Sequence, residues 1–415
     1  MKLLSLHKML AASLLLAGVL ISCDKGTKIN EDGSINVVRN GKTGYSIVYN
    51  KETSKSVCDN LALAFNGLTG SSPSVITDES KSGKFELLVG NTGRAETAAS
   101  LSKVGDNGYA IEVNGSKIVV VGSNVVWTSL ALKVFEKRIL RNPLFCKDGK
   151  LTIPGDYSYI QSYDDPQLIS RLLDEGLEFT LNPTLVLNCP GDDEVVVAQG
   201  AASDGKYFYF LNRSREDGQS KVYKYDIKSL QLVAQSGIFD SGHANDATFD
   251  YGKNRIIAAH GHSEGKILTP LDPETLKVLP NIDITVGSGA IAFSKGRKQF
   301  AISQGGKTLY VADNDFNVQS SYTRTDNSVY LAQGMGCDDH YVYFPMSPQN
   351  GKTDNVLVTY DWSGNYITDL HIPMSLESES MFYSDGNYYV NFYTGKLQGA
   401  ALYRVDPVYN YIYSK

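Results

Sequence analysis

The second half of the chain repeats one phrase five times, and that repetition narrows what the chain can fold into more than any other feature. Each copy places an Asp just after a run of β-branched or aromatic residues: Asp226, Asp272, Asp313, Asp361 and Asp406, spaced by 46, 41, 48 and 45 residues. A second marker, a Ser or Asp at a turn, runs in phase at Ser203, Asp250, Ser294, Asp338 and Ser384, spaced by 47, 44, 44 and 46. Helical arrays share this period but need long segments of 3.6 periodicity, and none occurs here. Each copy parses instead as four short strands. The inner strand ends at the Ser/Asp turn, an aromatic run such as Tyr207 to Leu211 follows, the third strand precedes the repeated Asp, and the fourth follows it. Asp suits such turns because its carboxylate accepts from nearby backbone N–H groups. Residues 194–415 hold five copies of about 44 residues, within the usual four to eight blades of a propeller. The expectation is an all-β five-bladed β-propeller over 186–415, with the segment ending at Cys189 offering a strand that helps close the ring.

The front of the chain reads differently. Residues 1–22 carry Lys2 and Lys8, then a short apolar core from Met9 to Ile21. The sequence Leu20-Ile21-Ser22-Cys23 fits the lipobox of bacterial lipoproteins, so 1–22 reads as a signal peptide and Cys23 as the lipidation site. Cleavage there leaves 393 residues. Residues 23–43, rich in Asp, Lys, Asn, Gly and Ser, read as a flexible tether. The implied location is the bacterial envelope, by a lipid anchor, most simply the outer membrane on its periplasmic or surface side.

Four cysteines remain after Cys23: Cys58, Cys146, Cys189 and Cys337. No Cys-x-x-Cys occurs, which removes the usual zinc and redox signatures. Cys58 falls on the apolar stripe of a predicted helix and reads as a buried thiol. The net charge of −6 and the lack of basic runs exclude nucleic acid as an expected partner.

Residues 44–160 alternate strand and helix patterns. A strand at Tyr45 to Tyr49 precedes a helix from Thr53 to Leu68, with Val57, Leu61, Ala64, Phe65 and Leu68 on one face. Strands follow at Ser74 to Thr77 and Phe85 to Val89, then a helix from Ala95 to Ser102. A hairpin turns at Asn114-Gly115, and a helix runs from Val126 to Leu140. This order predicts an α+β sandwich. Residues 161–185 read as a connector, with Asp165 as N-cap and Pro166 in the first turn of a short helix.

The stretches FELLVGNTGR (Phe85 to Arg94) and GYAIEVNGSKIVVVGS (Gly108 to Ser123), with the WTSLALKVFEKRIL that follows, resemble the small non-catalytic α+β domain that precedes the barrel in β-hexosaminidase-type glycoside hydrolases. The resemblance covers about 115 residues. It implies a glycan-related setting and carries no catalytic residue. The catalytic barrel of that family is replaced here by the repeat.

In a propeller, loops entering the inner strands and those joining the second strand to the third open on one face. That filter selects Gln199, Arg213, Arg215, His243, His260, His262, Gln333, Glu379 and Tyr393 as ligand-binding candidates, and His243, Asp246 and Glu264 as candidates for acid-base chemistry. The segments GHAND and AAHGHSEG bring three of the six histidines toward one rim. One reading is a divalent-metal site or a His/carboxylate pair, since imidazoles two apart on a strand share a side. The other is that His243, Asn245 and Asp246 tie down bare strand ends of neighbouring blades. Arg213 and Arg215 are placed to clamp a carboxylate, or else are solvated. Trp362 falls in a turn on the opposite rim and reads as packing. No cofactor is expected.

The leading expectation is an exported lipoprotein that binds a glycan or similar small ligand in the propeller funnel, alongside other surface proteins of a glycan-utilisation system. Two alternatives stand beside it: a glycoside hydrolase or lyase with its site on the propeller face, and a protein-interaction scaffold.

Overall fold

The computed structural model describes residues 26–192, 195–216, 218–261, 265–305, 307–326, 330–349, 353–395 and 399–408. The expected signal segment and Cys23 lie outside them, as do His262 and Glu264. The chain divides into two compact units, with the boundary between Asp164 and Asp165. Among the described residues, no helix is long and apolar enough to cross a membrane.

The first unit is built on a six-stranded mixed sheet. Its order is Ser158–Tyr163, Asn107–Asn114, Lys117–Gly122, Glu86–Val89, Ser46–Tyr49, Ser74–Thr77. The first three strands pair antiparallel and the remainder parallel. The helix Lys55–Thr69 buries Cys58, Leu61, Ala64 and Phe65, and Gly70 ends it in the left-handed region at φ 71°. The helix Val125–Phe135 starts where Asn124 Oδ1 accepts from the N–H groups of Val126 and Trp127, and it continues as a π-turn, Glu136–Leu140. At the Asn114-Gly115 hairpin, Gly115 takes φ 64°.

The expected tether departs from its reading. Ile35–Arg39 pairs with Lys28–Ile29, with Lys42–Thr43 and with Lys150–Ile153, forming a second small sheet. The Gly and Asn content that suggested a flexible linker serves tight turns instead, as at Asn40 and Gly41, both at positive φ. Ile35, Val37 and Val38 are fully buried, and the pairing partner comes more than a hundred residues later.

The second unit is β-propeller-like, made of five small antiparallel sheets. The first comprises Val197–Ser203, Tyr207–Arg213, Gly218–Asp226 and Leu232–Gln235. The second comprises Asp246–Asp250, Arg255–Ala259, Ile267–Leu271 and Ile282–Asp283. The third comprises Ala290–Ser294, Gln299–Gln304, Thr308–Ala312 and Val318–Thr323. In the fourth, Gly336–Cys337 and Leu331–Ala332 both pair with Tyr341–Ser347, followed by Asn355–Asp361 and Tyr366–Ile372. The fifth comprises Glu377–Ser384, Asn387–Tyr393 and Ala400–Val408, and its outermost strand is Thr180–Cys189, from before the first sheet.

The inner strand of each sheet lies beside that of the next, and the fifth lies beside the first. Between adjacent sheets sit five apolar clusters, one per interface. Four of the repeated aspartates do what their spacing implies: Asp226, Asp272, Asp313 and Asp361 each accept backbone N–H groups of their own turn. Asp406 differs. It lies inside the strand Ala400–Val408 and pairs with Arg404, because the outer strand of that sheet arrives from residues 180–189 and no turn is needed there.

The expected connector is part of this unit. The helix Leu168–Asp174 buries Ile169, Ser170 and Leu172, and Ile169 joins the cluster between the fourth and fifth sheets. Its N-cap is Gln167, at φ 33°, while Asp165 Oδ1 accepts the Gln167 N–H from outside the helix.

Candidate functional site

Antiparallel pairing brings the starts of the inner strands and the ends of the second strands to the same end of the ring. A chain of polar links runs around that end. His243 N donates to His260 O at 2.9 Å within the second sheet. Asn245 Nδ2 donates to Gly289 O at 2.7 Å and to Gln333 O at 2.9 Å, joining the second sheet to the third and fourth. Gln333 Nε2 donates to Glu377 Oε1 at 2.6 Å, reaching the fifth. Gln199 Nε2 donates to Glu379 Oε2 at 3.3 Å, and Asn391 Nδ2 to Gln199 O at 2.9 Å, joining the fifth to the first. Arg213, His243, Gln304, Gln333, Glu377 and Tyr393 are all half-buried here.

Asp246 forms the floor. It is fully buried, and its carboxylate accepts three backbone N–H groups: Ala247 at 2.9 Å, Ile291 at 3.0 Å and Met335 at 2.9 Å. Burial pushes its carboxyl well above the usual range, and the three N–H groups pull it back only in part. Oδ1 accepts from the aspartate's own strand and Oδ2 from the strand ends of the third and fourth sheets, so this side chain ties three neighbouring inner strands together. Glycine permits the close approach beside it: a Cβ on Gly334 would stand 2.3 Å from Glu379 O and 3.0 Å from Asp246 Cγ.

Of the predicted histidine cluster, His243 and His260 are described and are neighbours through the backbone hydrogen bond above, while His262 lies outside the described residues. His260 turns to its own sheet, with Nε2 2.6 Å from Thr269 Oγ1, and burial lowers its pKa. His243 contributes its backbone N–H to the strand tie. No group of three or more His, Cys, Asp or Glu among the described residues could hold a metal ion. The two arginines also part company. Arg213 is half-buried and its Nη1 donates to Ser214 O at 3.0 Å, whereas Arg215 is exposed. Trp362 is buried in its turn and donates from Nε1 to Asp338 O at 3.1 Å.

Glu379 is a second buried carboxylate at this end. It is 2% exposed, and burial pushes its carboxyl well above the usual range; Glu377 adds to that and Arg213 opposes it. Two bulges set it there. The pairing register shifts between Ala198 and Ala201 in the first sheet and between Ser378 and Ser380 in the fifth. Each bulge re-aims one polar side chain, Gln199 and Glu379, and the two meet.

Sequence reasoning missed Ser380 and Asn391 and took Asn212 only as the start of a rim loop; all three are fully buried. A signal was present. Phe208, Phe210 and Asn212 alternate on one face of their strand, as Tyr389 and Asn391 do on theirs, and the aromatic members fill the interface between the first and fifth sheets. An Asn continuing a buried aromatic row is a polar group placed in a core.

A cavity of about 20 Å³ lies among Ser203, Thr248, Tyr251, Phe293, Cys337 and Phe382, room for about one water. Beside it, Asp338 Oδ2 accepts from Tyr343 OH at 2.7 Å, from Tyr388 OH at 2.6 Å and from Ser170 Oγ, which fastens the helix Leu168–Asp174. A separate cavity of about 620 Å³ lies at the periphery, between Leu173, Phe179 and Thr180 and the outer strand residues Ile367 to Leu370.

No family model matches the chain, and no curated protein matches it. Among solved structures it is similar to the tail fiber of Staphylococcus aureus phage P68, at 15% identity and a TM-score of 0.43, over 54% of this chain and 52% of that one. It is also similar to Kuenenia stuttgartiensis hydrazine synthase, at 14% identity and a TM-score of 0.32, over 49% of this chain and 57% of that one. The chain thus spans little more than half the length of either, and likeness at this level transfers no activity or partner.

Proposed function

We propose that the second unit is a five-bladed β-propeller whose polar end binds a glycan or similar small polyhydroxyl ligand, in an exported protein anchored to the bacterial envelope through lipidated Cys23. Support for five blades comes from the five sheets, their five apolar interfaces and the neighbouring inner strands of the fifth and first. The binding reading is carried by one observation: half-exposed polar side chains from all five sheets stand at one end of the neighbouring inner strands, where Asn245 and Asp246 hydrogen-bond across to the fourth sheet. Such a rim offers hydroxyl partners of both kinds. The first unit, with its likeness to a hydrolase accessory domain, supports a glycan-related setting. Catalysis finds less support, because the carboxylates nearest the axis, Asp246 and Glu379, are sealed from solvent.

Calorimetric titration of the mature chain with neutral, acidic and amino oligosaccharides tests the reading. Saturable binding to one class, weakened about tenfold by Arg213→Ala or Gln333→Ala, is expected; silence across all three classes overturns it.

A further inference from the structure

Below the rim, the interface between the first and fifth sheets holds a set of oxygen atoms with no protein partner. Gln199 Oε1, Asn212 Oδ1, Ser380 Oγ and Asn391 Oδ1 are buried and make no hydrogen bond, and Asn212 Nδ2 shares that state. Their orientation is fixed in two cases. Gln199 Nε2 donates to Ala198 O and Asn391 Nδ2 donates to Gln199 O, and a backbone carbonyl can only accept, so the amide oxygens of both residues must point the other way.

These groups lie on the two sheet faces that meet at this interface. Asn212 stands opposite Ala198, and Ser380 opposite Asn391, in the pairing registers of their sheets. Ala198, Phe382 and Tyr389, which share their faces, all belong to the apolar cluster between the first and fifth sheets. Glu379 enters the same place through Gln199. A buried polar atom without a partner costs about 1–3 kcal/mol, and native folds carry few of them, so five at one interface call for an occupant.

The balance of the set identifies that occupant's chemistry. Acceptors outnumber donors, and the only charge among the five residues is negative. Neutral amide and hydroxyl oxygens with a carboxylate are the ligands of a hard cation. We propose that Glu379, together with the side-chain oxygens of Gln199, Asn212, Ser380 and Asn391, forms a buried site for a hard cation of the calcium class. Such an ion neutralises the buried carboxylate and satisfies the oxygens at once. Calcium accepts six to eight oxygen ligands in irregular geometry, whereas magnesium demands a near-ideal octahedron and retains its waters, which an interior site disfavours. Placed between the first and last sheets, the ion pins the junction at which the ring closes. The site stands whether or not a glycan occupies the rim above it.

The test uses the mature chain, stripped with a chelator and titrated with calcium, magnesium, sodium and potassium chlorides by calorimetry, with terbium emission sensitised by Tyr389 and Tyr393 as a second readout. One-to-one calcium binding is expected, at least tenfold tighter than magnesium. Glu379→Gln should weaken it at least tenfold. Ser380→Ala, which removes one oxygen and no charge, should weaken it by a smaller factor and serves if the glutamine variant fails to fold. Absence of calcium binding, or calcium and terbium binding unchanged in the variants that fold, overturns the proposal.

Discussion

At the scale of single residues, the clearest division is between carboxylates that finish a turn and those that hold the interior. The repeated aspartates 226, 272, 313 and 361 are legible in the sequence because their partners are their own neighbours, two to four residues on. Asp246 was legible as a polar residue at a strand start, but not its hydrogen bond to Met335, 89 residues away, a partner that no local pattern announces. Its role has a measurable consequence. Asp246→Asn keeps the shape but replaces one acceptor with an amide that faces a backbone N–H. Leaving one or two buried N–H groups unmet should cost about 2–4 kcal/mol. Urea unfolding of the variant checks this, and a loss under about 0.5 kcal/mol would show that the three hydrogen bonds do not hold the ring.

Among elements, the strands were easy to foresee and their irregularities were not. Alternation and turn residues located the second-unit strands, since burial on the inner faces writes itself into every second position. The bulges at Gln199 and Glu379 left no such trace, because the residues they bring together lie 180 positions apart. The same limit hid the pairing of residues 28–43, whose turn-rich composition is shared by tethers and by short hairpins. Glycines on or beside the inner strands do carry a signal once the neighbouring strands are known: Cβ atoms at Gly200 and Gly334 would stand 2.3 Å from the backbone of the adjacent inner strand. Gly334→Ala therefore has to push two sheets apart and should destabilise by about 1–3 kcal/mol or more. Gly237 has open space around it and an ordinary backbone angle, so Gly237→Ala should stay within about 0.5 kcal/mol of the parent. Equal losses in the two variants, by thermal or urea unfolding, would refute the close-approach account.

For the molecule as a whole, the second unit depends on a strand that its repeats do not contain. The repeat ends with Ala400–Val408, which would be the edge of its sheet, and Thr180–Cys189 pairs along nearly all of it. Without that strand the edge exposes a row of backbone donors and acceptors, and the apolar clusters on either side of the fifth sheet lose Leu181 and Cys189. The strand is tied to its place by the helix before it, through Ile169 in the cluster between the fourth and fifth sheets and Ser170 on Asp338. The functional boundary of this unit is thus set at about residue 165, not at the first repeat. A chain beginning at Asp165 should unfold in one cooperative transition, whereas one beginning at Val195 should show a broad transition or aggregate through the bared strand. The contrast is read by near-ultraviolet circular dichroism against urea and by light scattering. Matching sharp transitions in both would mean that the five sheets close without the borrowed strand, and the junction between first and fifth sheets would then lose its place as the point on which the ring depends.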